Sequence, residues 1–298
     1  MDFQLTEDQR ALRDGVRDLL EGRFDRTALR AAVDASERAG AAALDRELWR
    51  ELGAAGFFSL ALPEADGGVG LGLPEAVLAF EEAGRALLPG PLVATFLAAG
   101  EIPGAASGDV MVTAADGPLV AWLDEADVVR GDVAGAVPAR SVDPLTPLHR
   151  LPADAPREDG GPFLDGAGAL LTAAEQLGSA ARTTEMAVQY ARERVQFGQL
   201  IGAFQAVKHL CAQMLVRAEI ARGAVYAAAV TGDPLEVCGA KLLADDAAVR
   251  NARDCLQVHG GMGFTWEADV HLHLKRAWVR AGTGRSAGDA EEALAAAL

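Results

Sequence analysis

Two short segments carry the residue types best suited to holding an anionic ligand. The first, Arg192-Glu-Arg-Val-Gln-Phe-Gly-Gln-Leu-Ile-Gly-Ala-Phe-Gln205, joins two long helical stretches. Arg194 offers a fixed fork of donors that suits a pyrophosphate. Gln196 and Gln205 can read polar edges, and Phe197 offers a flat face. Gly198 and Gly202 interrupt the helix and permit close backbone approach. The second segment, Gln257-Val-His-Gly-Gly-Met-Gly263, exposes backbone N–H and C=O groups through Gly260 and Gly261. It follows a helix rather than a strand, so it is no dinucleotide fingerprint of the βαβ kind. Taken singly, the first also reads as an ordinary helix connection with a surface arginine, and the second as a plain glycine-rich turn.

Other reactive side chains point less clearly to chemistry. His271 and His273 flank Leu272 and fall on different helix faces, poor geometry for a shared metal, so no residue is assigned a metal role. His259 adjoins the glycine-rich turn and could touch a ligand or make a structural hydrogen bond. Trp266 and Glu267 follow, and interface packing accounts for them. Cys211, Cys238 and Cys255 are odd in number and lack metal-ligand spacing, which fits buried reduced thiols in a cytoplasmic protein.

These segments need long helices to hold them. Ala174, Leu177, Gly178, Ala181, Val188 and Ala191 form one apolar stripe before Arg194. Val207, Cys211, Met214, Ala218, Ala221, Val225 and Ala228 form a heptad-like seam after it, which Gly232 ends. Asp233 and Pro234 then open a third helix running to about Val258. Such antiparallel helices with short links imply a four-helix-type bundle. Upstream, Thr6 is a candidate N-cap with Glu7 and Asp8 in the first turn. Helices are predicted through Leu20, over about Asp45 to Ala55, and from Pro74 towards Leu87. Residues 100–165 change character. Short β-prone runs at Val110 to Thr113, Leu119 to Trp122 and Val128 to Val129 precede a connection punctuated by Pro138, Pro144, Pro147, Pro152, Pro156 and Pro162. The expected class is mainly α: an N-terminal helical domain over 1–99, a shortened middle β-region and linker over 100–165, and a C-terminal helical bundle over 166–298.

Charge narrows the partners. The formal net charge of -16 over 298 residues disfavours nucleic acid. No apolar run reaches membrane-spanning length, and Met1 to Arg10 is polar and acidic, unlike a secretory signal, so a cytoplasmic location is expected and no membrane association.

In this order and context the two segments resemble the acyl-CoA dehydrogenase family. The resemblance extends to Leu5-Thr-Glu-Asp-Gln-Arg10, Leu48-Trp-Arg-Glu-Leu-Gly53, Leu62-Pro-Glu-Ala-Asp-Gly-Gly-Val-Gly70 and Glu81-Glu-Ala-Gly84, nearly the whole chain. It implies FAD as cofactor, an acyl-CoA thioester as substrate and electron-transfer flavoprotein as acceptor. It also implies that Arg194, Gln196, Phe197, Gln205, Gln257, Gly260 and Gly261 hold the pyrophosphate and adenosine half of a neighbour's FAD across a subunit interface.

Two departures from the family pattern bear on activity. The Thr-Glu-Pro-type and Gly-Ser-Asp segments that bind the flavin ring side are not found between residues 100 and 165, although Trp122 lies in that region. The family's catalytic glutamate falls on Ala281 or Gly284, or in its other location on Gly168. Asp165 and Glu175 are near the last of these but out of register, so no catalytic residue is assigned. The resemblance is to subunits of heteromeric actinobacterial enzymes that oxidise steroid side-chain CoA thioesters. It implies a chain that completes the FAD cavity of a full-length partner, in a heterotetramer. The alternatives are an active homo-oligomer with an unusual base, or a flavin-free structural homologue.

Overall fold

The computed structural model describes residues 4–40, 44–152, 164 and 166–297. The chain opens on α1 (Glu7–Arg23). The Thr6 hydroxyl accepts from the Gln9 amide at 3.1 Å and the Gln9 side chain accepts from Thr6 N–H at 3.1 Å, a reciprocal cap that satisfies two orphan donors. Asp25 caps α2 (Arg26–Ala39), Asp45 caps α3 (Arg46–Ala54), and Pro74 lies in the first turn of α4 (Leu73–Ala86). The predicted helices at 45–55 and after Pro74 are present. Two others were not expected. In α2 only Leu29, Val33 and Ser36 are buried, too sparse a stripe to announce itself. The short α5 (Leu92–Ala98) follows Pro89-Gly90-Pro91 and is buried almost throughout, so it lacks a polar face.

Among the described residues the middle region holds five strands of three residues each. The first, β1 (Val112–Ala114), pairs in parallel with β3 (Val128–Arg130). The second, β2 (Leu119–Ala121), and β4 (Val137–Ala139) flank β5 (Leu148–Arg150) antiparallel. The three predicted runs fall on β1, β2 and β3, while β4 and β5 lie in the stretch read as a proline-punctuated connection. Pro138 is tolerated because β4 is an edge strand. Pro156, Pro162 and Asp165 lie outside the described residues.

The C-terminal helices are α6 (Ala167–Glu193), α7 (Gln205–Thr231), α8 (Pro234–His259), α9 (Val270–Ala281) and α10 (Ala287–Ala296). In α7, Met214, Ala218, Ala221, Val225 and Ala228 are buried as their spacing predicts, while Val207 and Cys211 are half-buried. In the α6 stripe Ala174, Leu177, Gly178 and Ala191 are buried as predicted, whereas Ala181 and Val188 are half-buried and the buried line continues instead through Ala180 and Ala187. The first half of α6 is buried on nearly every side, which blurs the period that sequence reasoning depends on.

Glycines set the approach of α4 to α6. A Cβ added to Gly84 would lie 2.0 Å from the Glu175 carbonyl oxygen, and one on Gly178 would lie 1.8 Å from that of Glu81. The two helices therefore meet backbone to backbone. Asn251 ties the bundle: buried, it donates to Ala180 O, Thr184 Oγ1 and Met214 O at 3.2, 3.1 and 2.9 Å, and accepts from Arg217 Nε at 2.8 Å. One continuous apolar core runs from Leu20 through α4 and α6 to Leu272, so the N-terminal helices and the bundle share it. Among the described residues no helix is long and apolar enough to cross a membrane.

Candidate functional site

The segment after α6 folds as a tight hairpin, β6 (Val195–Gln196) paired with β7 (Gln199–Leu200). Its two turn residues, Phe197 and Gly198, have φ of 53° and 78°. Two successive left-handed residues make the mirror-image turn that suits a hairpin's twist, normally filled by Asn-Gly. Phenylalanine in the first position is strained, and the strain presents its ring to solvent, 90% exposed and edge-on to Phe204 at 6.0 Å. Arg194 and Gln196 are also exposed, and among the described residues nothing pairs with the Arg194 guanidinium. Gln205 opens α7 and donates from its amide to His209 Nε2 at 2.9 Å. No side chain caps that helix, which leaves its first N–H groups open to a ligand.

The glycine-rich turn continues directly from α8. Gly260 has φ 58° and ψ -137°, a conformation reserved for glycine. Space is open where a Gly261 Cβ would stand, and Gln257, Gly261, Met262 and Phe264 are exposed. Gly263 is instead needed for packing, since a Cβ there would come within 2.8 Å of Leu256 O.

One stacked pair brings the two segments to the same end of the bundle. The rings of Tyr190 and His259 lie 4.1 Å apart at 20°. Tyr190 O accepts from the Arg194 amide at 2.9 Å, and His259 immediately precedes Gly260. His259 Nδ1 contacts Cys255 O at 2.8 Å, and a carbonyl only accepts, so Nδ1 carries the hydrogen. Burial lowers the imidazole below its ordinary value and keeps it neutral at pH 7. His259 thus makes the structural hydrogen bond that its position allows. His271 stacks on Trp266, whereas His273 is buried against Ser179, and no metal-binding cluster exists among the described residues. Cys238 and Cys255 are buried and Cys211 is half-buried, all as free thiols.

The loop expected to carry a base lies elsewhere. Ala281 ends α9, and Thr283 and Gly284 line a cavity of about 110 Å³ between α5, the strands and the start of α6. Gly168 sits in the first turn of α6, where a Cβ would press on Leu164 at 3.1 Å and Leu97 at 3.3 Å. Glu175, out of register by sequence, nevertheless reaches this cavity wall. Its Oε1 accepts from Arg280 Nη2 at 2.5 Å. Burial raises the Glu175 carboxyl above its usual range against the pull of Arg280, and lowers Arg280 to about 10, so the arginine stays charged at pH 7. Arg280 escaped the sequence reading. The available signal was Arg276 and Arg280, one turn apart on the same buried face of α9 as Leu272, His273 and Ala277. Arg276 is buried too, paired with Asp143 and donating to Leu88 O at 3.1 Å. Trp122 also lines the cavity, buried and with φ 62°.

Comparison with known proteins adds to this geometry. Residues 6–105 match the acyl-CoA dehydrogenase N-terminal domain, and residues 166–292 match the acyl-CoA dehydrogenase C-terminal domain. The acyl-CoA dehydrogenase IpdE2 of Mycobacterium tuberculosis is 37% identical over 295 residues, covering 91% of this chain and 91% of its own. Butyryl-CoA dehydrogenase from Megasphaera elsdenii superposes with a TM-score of 0.81 at 22% identity, over 100% of this chain and 99% of that one. A chain of the ChsE4-ChsE5 complex from Mycobacterium tuberculosis superposes with a TM-score of 0.81 at 24% identity, over 99% and 98%.

Proposed function

The chain belongs to the acyl-CoA dehydrogenase family of FAD-dependent oxidoreductases, and from that premise we propose that it is a subunit which grips one half of a partner's FAD and leaves proton abstraction to that partner. The observation that carries this reading is distance along α6. Glu175 stands at the cavity, and Arg194 stands 19 residues further on. At 1.5 Å per residue the hairpin lies about 28 Å from the chain's own cavity. Residues so far apart on one rigid rod serve different sites, and an outward-facing hairpin suits a neighbour's ligand.

The residues at that end fit the pyrophosphate and adenosine half of FAD. Arg194 supplies a fork for the pyrophosphate that has no partner among the described residues, and Gly260 and Gly261 permit close backbone approach. Phe197 offers a face, and Gln196, Gln205 and Gln257 offer hydrogen bonds to polar edges. When bound, FAD supplies hydride acceptance from the β-carbon of an acyl-CoA. Removal of the α-proton needs a base within reach, and Ala281, Gly284 and Gly168 cannot provide one. A full-length acyl-CoA dehydrogenase subunit would bring that base and the ring-side contacts, with electron-transfer flavoprotein as acceptor. The chain then divides by role into an N-terminal helical domain over 1–99, a reduced middle β-region and linker over 100–165 and the gripping helical bundle over 166–298. The nearness of a chain from a two-component complex in fold supports a heteromeric assembly, as does the exposed apolar side of α7. An active homo-oligomer remains the second reading, because Glu175 lines the cavity.

The test is to purify the chain alone and with the product of the adjacent gene, then record flavin absorbance and acyl-CoA-dependent dye reduction. Flavin and activity should require both chains. Arg194→Ala should weaken FAD retention in the complex at least about tenfold, the loss of a charge-assisted contact. A yellow, fully active lone chain would overturn the partner reading, and unchanged FAD retention in the variant would remove the pyrophosphate assignment.

A further inference from the structure

The glycine-rich turn runs straight into a loop that α2 holds. Asp269 stands at the N-cap of α9, yet its side chain caps nothing. Its two oxygens accept instead from α2: Oδ2 from Arg26 Nε and Oδ1 from Arg30 Nε, both at 2.6 Å. The same arginines donate to loop carbonyls, Arg26 Nη2 to Glu267 O at 3.1 Å and Arg30 Nη1 to Trp266 O at 2.6 Å. Trp266 O also meets His271 Nε2 at 3.2 Å, and because a carbonyl only accepts, Nε2 donates. The Trp266 ring then stacks on His271.

Burial says which of these contacts carries the weight. The side chains of Arg30 and Asp269 are 16% and 14% exposed, whereas that of Arg26 is 68% exposed. An exposed ion pair contributes little. Arg30 spans Trp266 and Asp269 with two edges of one rigid guanidinium, so it fixes both ends of 266–269. A lysine, a single point charge, would hold one end. The core gives α2 few other tasks, since only Leu29, Val33 and Ser36 are buried. The turn itself has less support: Gln257, Gly261, Met262 and Phe264 are exposed. Glycine backbone is the most costly to order, and a ligand that must order it binds more weakly.

We propose that Arg30 is a positioning residue: by tying 266–269 to α2, it holds the glycine-rich turn in the conformation that meets the pyrophosphate and adenosine half of FAD. It acts through the turn and does not touch the flavin. The inference rests on the FAD reading above.

The test compares wild type, Arg30→Met, Val33→Ala and Arg194→Ala. Val33 is fully buried on α2, so its truncation loosens the packing of that helix without touching the clamp. Amide hydrogen exchange is measured on the flavin-free full chain over 260–268, where Thr265 N–H donates to Met262 O at 3.1 Å and Ala268 N–H to Thr265 O at 3.3 Å. FAD binding is measured on the complex with the partner chain. Arg30→Met should speed the exchange and weaken FAD binding, each by at least about tenfold, the scale of hydrogen bonds from a charged donor. Val33→Ala should lower the melting temperature yet keep FAD binding within about twofold of wild type. Unchanged exchange in Arg30→Met would overturn the proposal. So would faster exchange with unchanged FAD binding while Arg194→Ala releases FAD, or a loss of FAD binding in Val33→Ala equal to that in Arg30→Met. FAD binding untouched by both Arg30→Met and Arg194→Ala would mean that the FAD reading has failed and the positioning role with it, and the exchange rates tell the two failures apart. Should Arg30→Met not fold, Arg30→Lys decides: it keeps the charge but only one of the two contacts, so it should show the same faster exchange and weaker binding, and wild-type values there would overturn the proposal.

Discussion

At the scale of single residues, buried charge is the dominant feature of this molecule. His273 is fully enclosed with its Nδ1 against Ser179 Oγ at 2.8 Å, and burial together with Arg182, Arg276, Arg280 and Arg85 holds its pKa down to about 3. A histidine kept neutral in the fold but free to protonate when unfolded gives stability that is complete above about pH 6.5 and drains away as pH falls from there towards 3. Between pH 6.5 and pH 5 that one group should cost about 2 kcal/mol. Urea titrations of the wild type and of His273→Gln should show it: the variant's profile should be flatter by that amount, and parallel profiles would dismiss the assignment. The exposure of Arg194 and Phe197 and the positive φ of Gly260 are what a short contiguous turn suggests locally, whereas a ligand role for them came only from the resemblance. The Glu175–Arg280 pair was not legible, since its partners are 105 residues apart and meet only once α6 and α9 are packed.

At the scale of elements, the close approach of α4 to α6 sets the geometry of the core. Gly178→Ala would drive a Cβ into Glu81 O and push the two helices apart, at a cost of about 2–3 kcal/mol. Gly15, exposed inside α1 with nothing within 4 Å of its added Cβ, is the internal control. Gly15→Ala should stabilise by about 0.5–1 kcal/mol through propensity alone. Chemical denaturation of both variants checks the pair, and a neutral Gly178→Ala would mean that α4 and α6 can separate freely. Caps and one-sided stripes were readable: Thr6, Asp233 and the α7 seam all place real elements. The misses share a cause. Elements buried on all sides, such as α5 and the first half of α6, or barely buried, such as α2, lack the polar-apolar contrast that periodicity needs. Strands of three residues, such as β4 and β5, are too short to alternate visibly.

At the scale of the whole molecule, the outer side of α7 remains to be accounted for. Val216, Ile220 and Val230 are exposed on the side opposite the buried seam, and Phe197, Met262 and Phe264 extend the apolar surface at the bundle's end. A monomer rarely leaves so many large apolar groups in water. Ile220→Glu should therefore lower the molar mass of the purified assembly by light scattering while leaving its helical circular dichroism unchanged. An unaltered mass would take α7 out of the contact. The mainly α architecture with a reduced strand region was legible from the sequence, whereas the sharing of one core by both ends of the chain was not, because hydropathy cannot say which stripes meet. That shared core has a consequence for how the protein is made. A ribosome delivers α1 to α5 first, and although α1 covers part of α4 and β1 part of α5, the rest of their apolar faces is covered by α6, which emerges after the whole strand region. For that interval the nascent chain carries an incompletely covered apolar face, the kind of surface that makes partly folded chains prone to aggregate.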